Sequence, residues 1–365
     1  MTAYRAGLVG CGRIGALWET DPPTPLTHAG ALAMLSEVHL VAGASRGREH
    51  LESFGRRWNV KGLYLDYHEM FERERLDIVA IATHPGLHRE IVEAAVDAGV
   101  GAIFCEKPFA LTLADADAMV RVCREAGCIL GVNHSRRWHP DYVKAKELLD
   151  QGAIGRLVSM YAVCQGAKPY PAWQADEEGP LLHDAVHIFD LLRLYAGDVQ
   201  SAVGTALRRA RPFRVEDDSQ AIFEFHGGVS AVTLVNELSE YSRGLVELHG
   251  TDGLMILQDS GHTLWTGADV TSRLNEPDRR IEWQELVQAP FPSTPARRPM
   301  LDAYRELVRC LETGEDPSST GEDGIASLEM VMAIYESQLQ GNRPVALPLV
   351  RRDSALYRLR QAGQL

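Results

Sequence analysis

Glu106-Lys107-Pro108 follows a short apolar run, Ala102 to Cys105, and its residue types together suit proton handling at a carbon–oxygen bond. A lysine at the end of a strand can hydrogen-bond the oxygen of an alcohol or ketone and reach a cofactor ribose. It can also share in proton transfer when its neighbours tune it. Glu106 would orient or charge-balance that lysine. Pro108 would stiffen the turn and, with a cis bond before it, aim the side chain. In another setting the same tripeptide would be a surface ion pair ahead of a loop proline. A second constellation is Gly179-Pro180-Leu181-Leu182-His183-Asp184-Ala185-Val186-His187, which opens a helix after a Gly-Pro break. On a helix Asp184 and His187 share a face, as do His183 and His187. A carboxylate beside an imidazole can fix its tautomer and pass a proton to or from a substrate oxygen. Two other accounts stay open: a capped helix start with satisfied polar groups, and a metal pair. A metal would find only Glu177 or Glu178 nearby as further ligands, and none is expected.

The third constellation is Gly10-Cys11-Gly12-Arg13-Ile14-Gly15, directly after the apolar stretch Tyr4 to Val9. In a dinucleotide-binding turn the first glycine permits the tight bend, the second lets backbone approach a pyrophosphate, and the third lets helix pack on strand. Amides opening the following helix, aided by its dipole, would face the phosphates. At the end of the next apolar run stand Ser45 and Arg46, where a binder of unphosphorylated NAD would place a carboxylate for the ribose 2′-hydroxyl. A hydroxyl and a guanidinium suit a 2′-phosphate, so NADP(H) is favoured over NAD(H). The competing account is an exposed loop with ordinary arginines.

These residues need a scaffold whose strand ends lie together. Apolar runs at Tyr4–Val9, Val38–Ala44, Leu76–Thr83, Ala102–Cys105 and Cys128–Val132 alternate with amphipathic stretches such as His88–Ala98 and Leu113–Ala126, each closed by glycine. Such alternation predicts a doubly wound parallel sheet, the Rossmann arrangement, with ligands at the carboxyl ends of the strands. One irregularity is Trp18 to Pro25, whose prolines forbid a continuous helix after Gly15; it is either a surface insertion or a loop over the cofactor mouth. From about residue 150 longer runs take over, several alternating apolar and polar, with a hairpin signal at His226-Gly227-Gly228. They predict an α+β domain with an open, mainly antiparallel sheet. The chain is therefore α/β, with a nucleotide domain over 1–130 and a substrate and oligomerisation domain over 131–365.

Composition narrows the function class. A net charge of −13 without any basic block excludes a nucleic-acid or anionic-membrane surface. The six cysteines form no Cys-x-x-Cys pair, as expected of reduced thiols in a cytoplasmic protein. No run approaches the roughly 18 apolar residues of a membrane span.

With these motifs in hand, nearly the whole chain resembles the glucose–fructose oxidoreductase and inositol dehydrogenase (Gfo/Idh/MocA) family. Ile81-Ala82-Thr83-His84-Pro85-Gly86-Leu87-His88 is similar to the family's third-strand loop, and Asn133-His134-Ser135-Arg136-Arg137-Trp138-His139-Pro140 to its crossover. Ala333 to Ser337 and Pro344-Val345 also fit. The resemblance implies hydride transfer between a nicotinamide and a hydroxyl or carbonyl carbon of a sugar, cyclitol or related polyol. It implies Lys107 and His187 as central groups with Asp184 in support. Thr83, His84, His88 and Glu106 are implied at the cofactor, with His84 bordering the nicotinamide and His88 capping a helix. Arg137, Trp138, Lys168, Tyr170 and His183 are implied at the substrate, although Lys168, Tyr170 and Trp173 are equally well accounted for as exposed loop residues. The family's carboxylate stands four residues before the histidine, where this chain has His183; that departure puts the role of Asp184 in question. A homodimer or homotetramer is implied as well. Rival classes are an NAD-dependent glycosidase working by transient oxidation and elimination, a non-catalytic nucleotide sensor, and a purely structural homologue.

Overall fold

The run Tyr4–Val9 forms β1, and its last four residues are buried. It is joined by β2 (Val38–Ala44), β3 (Gly62–Tyr64), β4 (Ile78–Ile81), β5 (Ala102–Cys105) and β6 (Ile129–Val132) in a parallel sheet of order β3-β2-β1-β4-β5-β6. This is the doubly wound order. β4 and β5 are buried at every position because helices cover both faces of a parallel sheet. The computed structural model describes residues 3–166, 177–276, 279–296 and 298–365.

The helices carry readable stops and starts. Thr112 accepts a hydrogen bond from the Asp115 amide to open the helix Leu113–Ala126, and Gly127 closes it in the left-handed region at φ +67°. The helix expected to open at the glycine turn is cut short, as the prolines that follow Gly15 require. Only a π-helical turn, Arg13–Leu17, forms there, and the chain runs on to Thr27 before the short helix α1 (His28–Ala33). The cause lies in Glu19 as well as in the prolines. Its carboxylate accepts from the amides of Thr24, Leu26 and Thr27 and from the Thr27 hydroxyl, folding the segment around itself. Partial burial alone would raise its pKa, but those donors outweigh burial and hold it below the ordinary carboxylate range. Arg57 Nη2 fastens the same segment through the carbonyls of Glu19 and Thr20. So brief a turn contributes little dipole, and phosphate recognition here would rest on amides.

The compact units are assembled from several stretches, where the sequence suggested one boundary at 130/131. One unit takes Met1–His139, Ala296–Leu328 and Arg351–Ser354; the other takes Pro140–Pro295, Glu329–Val350 and Ala355–Leu365. The returning stretch brings α2 (Pro299–Thr313) into the first unit, where Leu301, Tyr304, Leu307 and Val308 join Leu8, Phe54, Ile78 and Phe104 in one core. Phe104 meets the rings of Tyr304 and Trp138 edge-on at 5.0 and 5.8 Å. Each large side chain buried there contributes about 2 kcal/mol.

The second unit holds a sheet, mainly antiparallel as expected. Its strands are β7 (Leu157–Gln165), β8 (Val199–Leu207), β9 (Asp218–Phe225), β10 (Ser230–Asn236), β11 (Arg243–Gly250), β12 (Gly253–Gln258), β13 (Gly261–Glu276), β14 (Arg279–Ala289) and β15 (Val345–Ala346). Their order is β14-β13-β12-β11-β7-β10-β9-β8-β15, with β7 and β10 parallel. β9 and β10 are the hairpin signalled by His226-Gly227-Gly228. The helix α3 (Val186–Ala196) buries Val186, Ile188, Phe189, Leu191 and Leu192, and Phe189 meets Phe223 of β9 at 5.2 Å.

Candidate active site

The three glycines of the β1 turn have different reasons to be glycine. Gly10 sits at φ +99°, and a Cβ there would overlap the Ala82 carbonyl. A Cβ on Gly15 would overlap the Gly10 carbonyl oxygen, so the turn packs too closely for a side chain. Gly12 has φ −83°, which any residue adopts, and a Cβ there would meet nothing within 4 Å. Nothing inside the protein requires glycine at that position. An open cradle of bare backbone between two internally constrained glycines fits a pyrophosphate drawn close to the amides.

Ser45 follows β2, its amide donating to the Tyr64 carbonyl at 3.0 Å, and Arg46 beside it is exposed. Arg13 lies over the Trp18 ring at 5.0 Å. After β4, the capping expected of His88 is done by His84. His84 caps the turn Pro85–Leu87 by accepting from the Gly86 amide at 3.2 Å. His88 is fully buried, with Nδ1 3.0 Å from the Phe109 carbonyl and Nε2 3.1 Å from the Thr83 carbonyl. Burial pushes its pKa down. His88 thus lies between the Thr83 loop and the segment after Pro108, its neutral ring donating its one N–H to one of the two carbonyls, and Leu87 rather than His88 is the cap of the helix that follows.

The Lys107–Pro108 bond is cis. Glu106 is buried beside Lys107, and the Lys107 amide donates to Glu106 Oε2 at 3.1 Å. Its other oxygen, Oε1, faces His28 Nε2 at 2.9 Å and accepts from Asn133 Nδ2 at 2.5 Å, while His28 Nδ1 is 2.6 Å from Tyr304 Oη. Burial would raise the Glu106 pKa; the His28 hydrogen bond, the nearby charges and Asn133 bring it below the ordinary range. Neither His28 nor Tyr304 was singled out from the sequence.

Two expected substrate residues make bonds to the frame. Trp138 is buried against Phe104 and donates to Glu306 Oε2 at 2.6 Å. Arg137 donates to the Ser318 carbonyl at 2.6 Å and to Asp323 Oδ1 at 2.9 Å, tying the crossover to the returning stretch. Lys168, Tyr170 and Trp173 lie outside the described residues.

In the second unit, His183 and Asp184 occupy a π-helical turn, Leu181–Ala185, and His187 is the second residue of α3. The wider turn alters the even helical spacing on which the shared-face argument rested. His183 stands between two carboxylates, with Nδ1 3.3 Å from Glu178 Oε2 and Nε2 4.0 Å from Asp184 Oδ1. Glu178 is buried, so His183 has a carboxylate partner that the sequence offered only as a nearby further ligand for a metal.

A family model described as an oxidoreductase family with an NAD-binding Rossmann fold matches residues 4–134, and the GFO/IDH/MocA C-terminal domain matches residues 142–256. The D-apiose dehydrogenase of Paraburkholderia graminis is 30% identical over 351 residues, covering 93% of this chain and 88% of that protein. The chain belongs to the Gfo/Idh/MocA family. Myo-inositol 2-dehydrogenase of Thermotoga maritima is 26% identical, covering 94% of this chain and 98% of its own length. The WlbA dehydrogenase of Bordetella pertussis, solved with NADH and UDP-GlcNAcA, superposes with a TM-score of 0.76 at 25% identity, covering 95% and 99% of the two chains. The first unit of this Gfo/Idh/MocA member is thus an NAD(P)-binding Rossmann domain, and the chain is an NAD(P)-dependent oxidoreductase. Among the described residues no helix is long and apolar enough to cross a membrane.

The start of the His183 segment rests on Glu216. This carboxylate is fully buried, accepts from the Leu181 amide at 3.0 Å, and fills the space where a Gly179 side chain would go. Burial pushes its pKa up to about 7. The folded protein therefore keeps a proton that the unfolded chain has released, and stability from this group is lost as pH rises from the ordinary carboxylate range through about 7. Glu216→Gln keeps the acceptor and removes the charge. We expect it to stabilise the protein by about 2–3 kcal/mol at pH 8 and to change little at pH 5. Urea unfolding at both pH values reads this, and an equal effect at both would refute it.

Proposed function

We propose that the chain interconverts a hydroxyl and a carbonyl on one carbon of a sugar, cyclitol or related polyol, using NADP(H) in preference to NAD(H). The observation that carries this is the placement of Lys107. It follows β5, only β4 separates β5 from β1, and all three strands are parallel. The lysine and the Gly12 cradle therefore emerge at the same end of one sheet. When bound, the nicotinamide supplies hydride acceptance or donation. Lys107 would hydrogen-bond the substrate oxygen and exchange its proton. Glu106 would balance the lysine's charge, and Ser45 and Arg46 would bind the 2′-phosphate. Within the second unit, His187, supported by Asp184 or by the Glu178–His183 pair, would hold or move a proton. Thr83 and His84, on the loop after β4, would border the cofactor.

The six cysteines form no disulfide, in keeping with a cytoplasmic enzyme. Ile222 and Val232 pair across β9 and β10 and are both exposed, which suits a homodimer or homotetramer formed through the sheet.

Mixing the protein with NADPH or NADP⁺, and with NADH or NAD⁺, across a panel of sugars and cyclitols should change nicotinamide absorbance at 340 nm for at least one substrate. No change with any substrate would refute the reading. Ser45→Asp combined with Arg46→Ala should then weaken NADPH binding by about 3 kcal/mol, on the order of 100-fold, and spare NADH. An unchanged preference would remove this loop from cofactor choice.

A further inference from the structure

Lys107 is backed by a buried chain of side chains that the reaction does not need to touch. Tyr304, His28 and Glu106 lie in sequence across this chain, linked at 2.6 and 2.9 Å, and Asn133 joins at 2.5 Å. They come from α2, α1, the end of β5 and the end of β6, so four separate parts of the first unit converge on one carboxylate. The direction of the bonds follows from chemistry. Tyr304 is fully buried, and burial together with the Glu106 charge pushes its pKa far up, so it keeps its proton and donates to His28 Nδ1. A neutral imidazole accepting at Nδ1 carries its hydrogen on Nε2, which then donates to Glu106 Oε1.

The other titratable groups facing Glu106 are Lys107, His88 and Cys105. Burial favours the neutral forms of His88 and Cys105, which leaves Lys107 as the cation that this carboxylate serves. A buried carboxylate without such donors would take up a proton.

We propose that His28, oriented by Tyr304, is a positioning residue that holds the Glu106 carboxylate as a fixed anion beside Lys107, so that Lys107 enters the reaction carrying its proton. This rests on the proton-handling role given to Lys107 above. The arrangement has a signature that packing alone would not produce, because it sets the pH at which the Lys107 amine becomes free to react.

The test labels the cofactor-free protein with acetic anhydride across a pH series and quantifies acetylated Lys107 by peptide mass spectrometry. Tyr304→Phe keeps the ring packed against Phe104 and removes only the hydroxyl; Glu106→Gln removes the anion with little change of shape. Each should move the Lys107 labelling midpoint down by about one pH unit, and His28→Gln should do the same. The double variant Tyr304→Phe/Glu106→Gln should shift no further than Glu106→Gln alone, because the hydroxyl acts through the carboxylate. Circular dichroism confirms that each variant is folded, and Tyr304→Phe carries the test if His28→Gln is not. Among active variants, the pH profile of kcat should move with the labelling midpoint while KM for the cofactor stays constant. Unshifted labelling in both Tyr304→Phe and Glu106→Gln overturns the proposal, whether or not the wild type oxidises a polyol. Shifted labelling in a protein that turns over no polyol supports the positioning role and overturns the assigned reaction instead.

Discussion

Lys107→Ala should lower turnover on the protein's substrate by about 10³-fold while leaving NADPH affinity within a few-fold. The asymmetry follows from what the side chain does. In the proposed reading, phosphate recognition belongs to the Gly10–Gly15 turn and the loop at Ser45, both remote in sequence from Lys107 and both intact in the variant. In the same reading the proton at the substrate oxygen is handled by Lys107, and removing a positioned acid–base group costs on the order of 10²- to 10⁴-fold, or about 4 kcal/mol at the middle of that range. Alanine also leaves Glu106 as an uncompensated buried anion, so Lys107→Arg, which keeps the positive charge but does not give up its proton, checks that the loss is chemical. Steady-state kcat and a fluorescence titration with NADPH measure the two quantities separately. Near-wild-type turnover in the alanine variant would take Lys107 out of the mechanism.

The second large effect divides the glycines of the β1 turn. Gly10→Ala should destabilise the protein by about 2–4 kcal/mol, since alanine is strained at φ +99° and its methyl would strike the Ala82 carbonyl. Gly12→Ala should leave stability within about 0.5 kcal/mol, because its φ of −83° is ordinary and its Cβ points into open space. The same harmless methyl would stand where a pyrophosphate must approach the backbone, so cofactor affinity should fall at least roughly tenfold. Thermal melts with and without NADPH distinguish the two variants. A Gly12→Ala protein that binds cofactor normally would mean that the cradle is not the phosphate site.

The cofactor side of the molecule was largely legible from residue order. Tyr4–Val9, Val38–Ala44, Ala102–Cys105 and Leu157–Gln165 are strands over the stretches their apolar runs suggest, and Gly127 ends its helix as expected. These are local signals, each written in consecutive residues. Where a signal was weak, an element went unseen. β3 is too short to show a period, and the long β13–β14 hairpin runs through a mostly polar stretch with exposed positions at Trp283 and Leu286. Motif position was a poorer guide than motif identity. Trp138 and Arg137 stand in a crossover resembling a functional one, yet the partners that hold them, Glu306, Ser318 and Asp323, lie some 170–190 residues downstream, where no local signal reaches. His28 is the converse case. Its partners Glu106 and Tyr304 are 78 and 276 residues away. The one local hint was a histidine after the capping Thr27 at the start of an alanine-rich helix.

The return of Pro299–Thr313 to the first unit carries a consequence for how the protein is made. As the chain leaves the ribosome, the sheet strands and the glycine turn emerge long before Leu301, Tyr304, Leu307 and Val308, which complete their core. The nucleotide unit therefore cannot finish folding when its own strands are synthesised; it must wait with an open apolar flank while the whole stretch Pro140–Pro295 is translated. That interval leaves apolar surface uncovered on the nascent protein, and it cannot close before the stretch Pro299–Thr313, with Tyr304 of the buried chain behind Lys107, has been made.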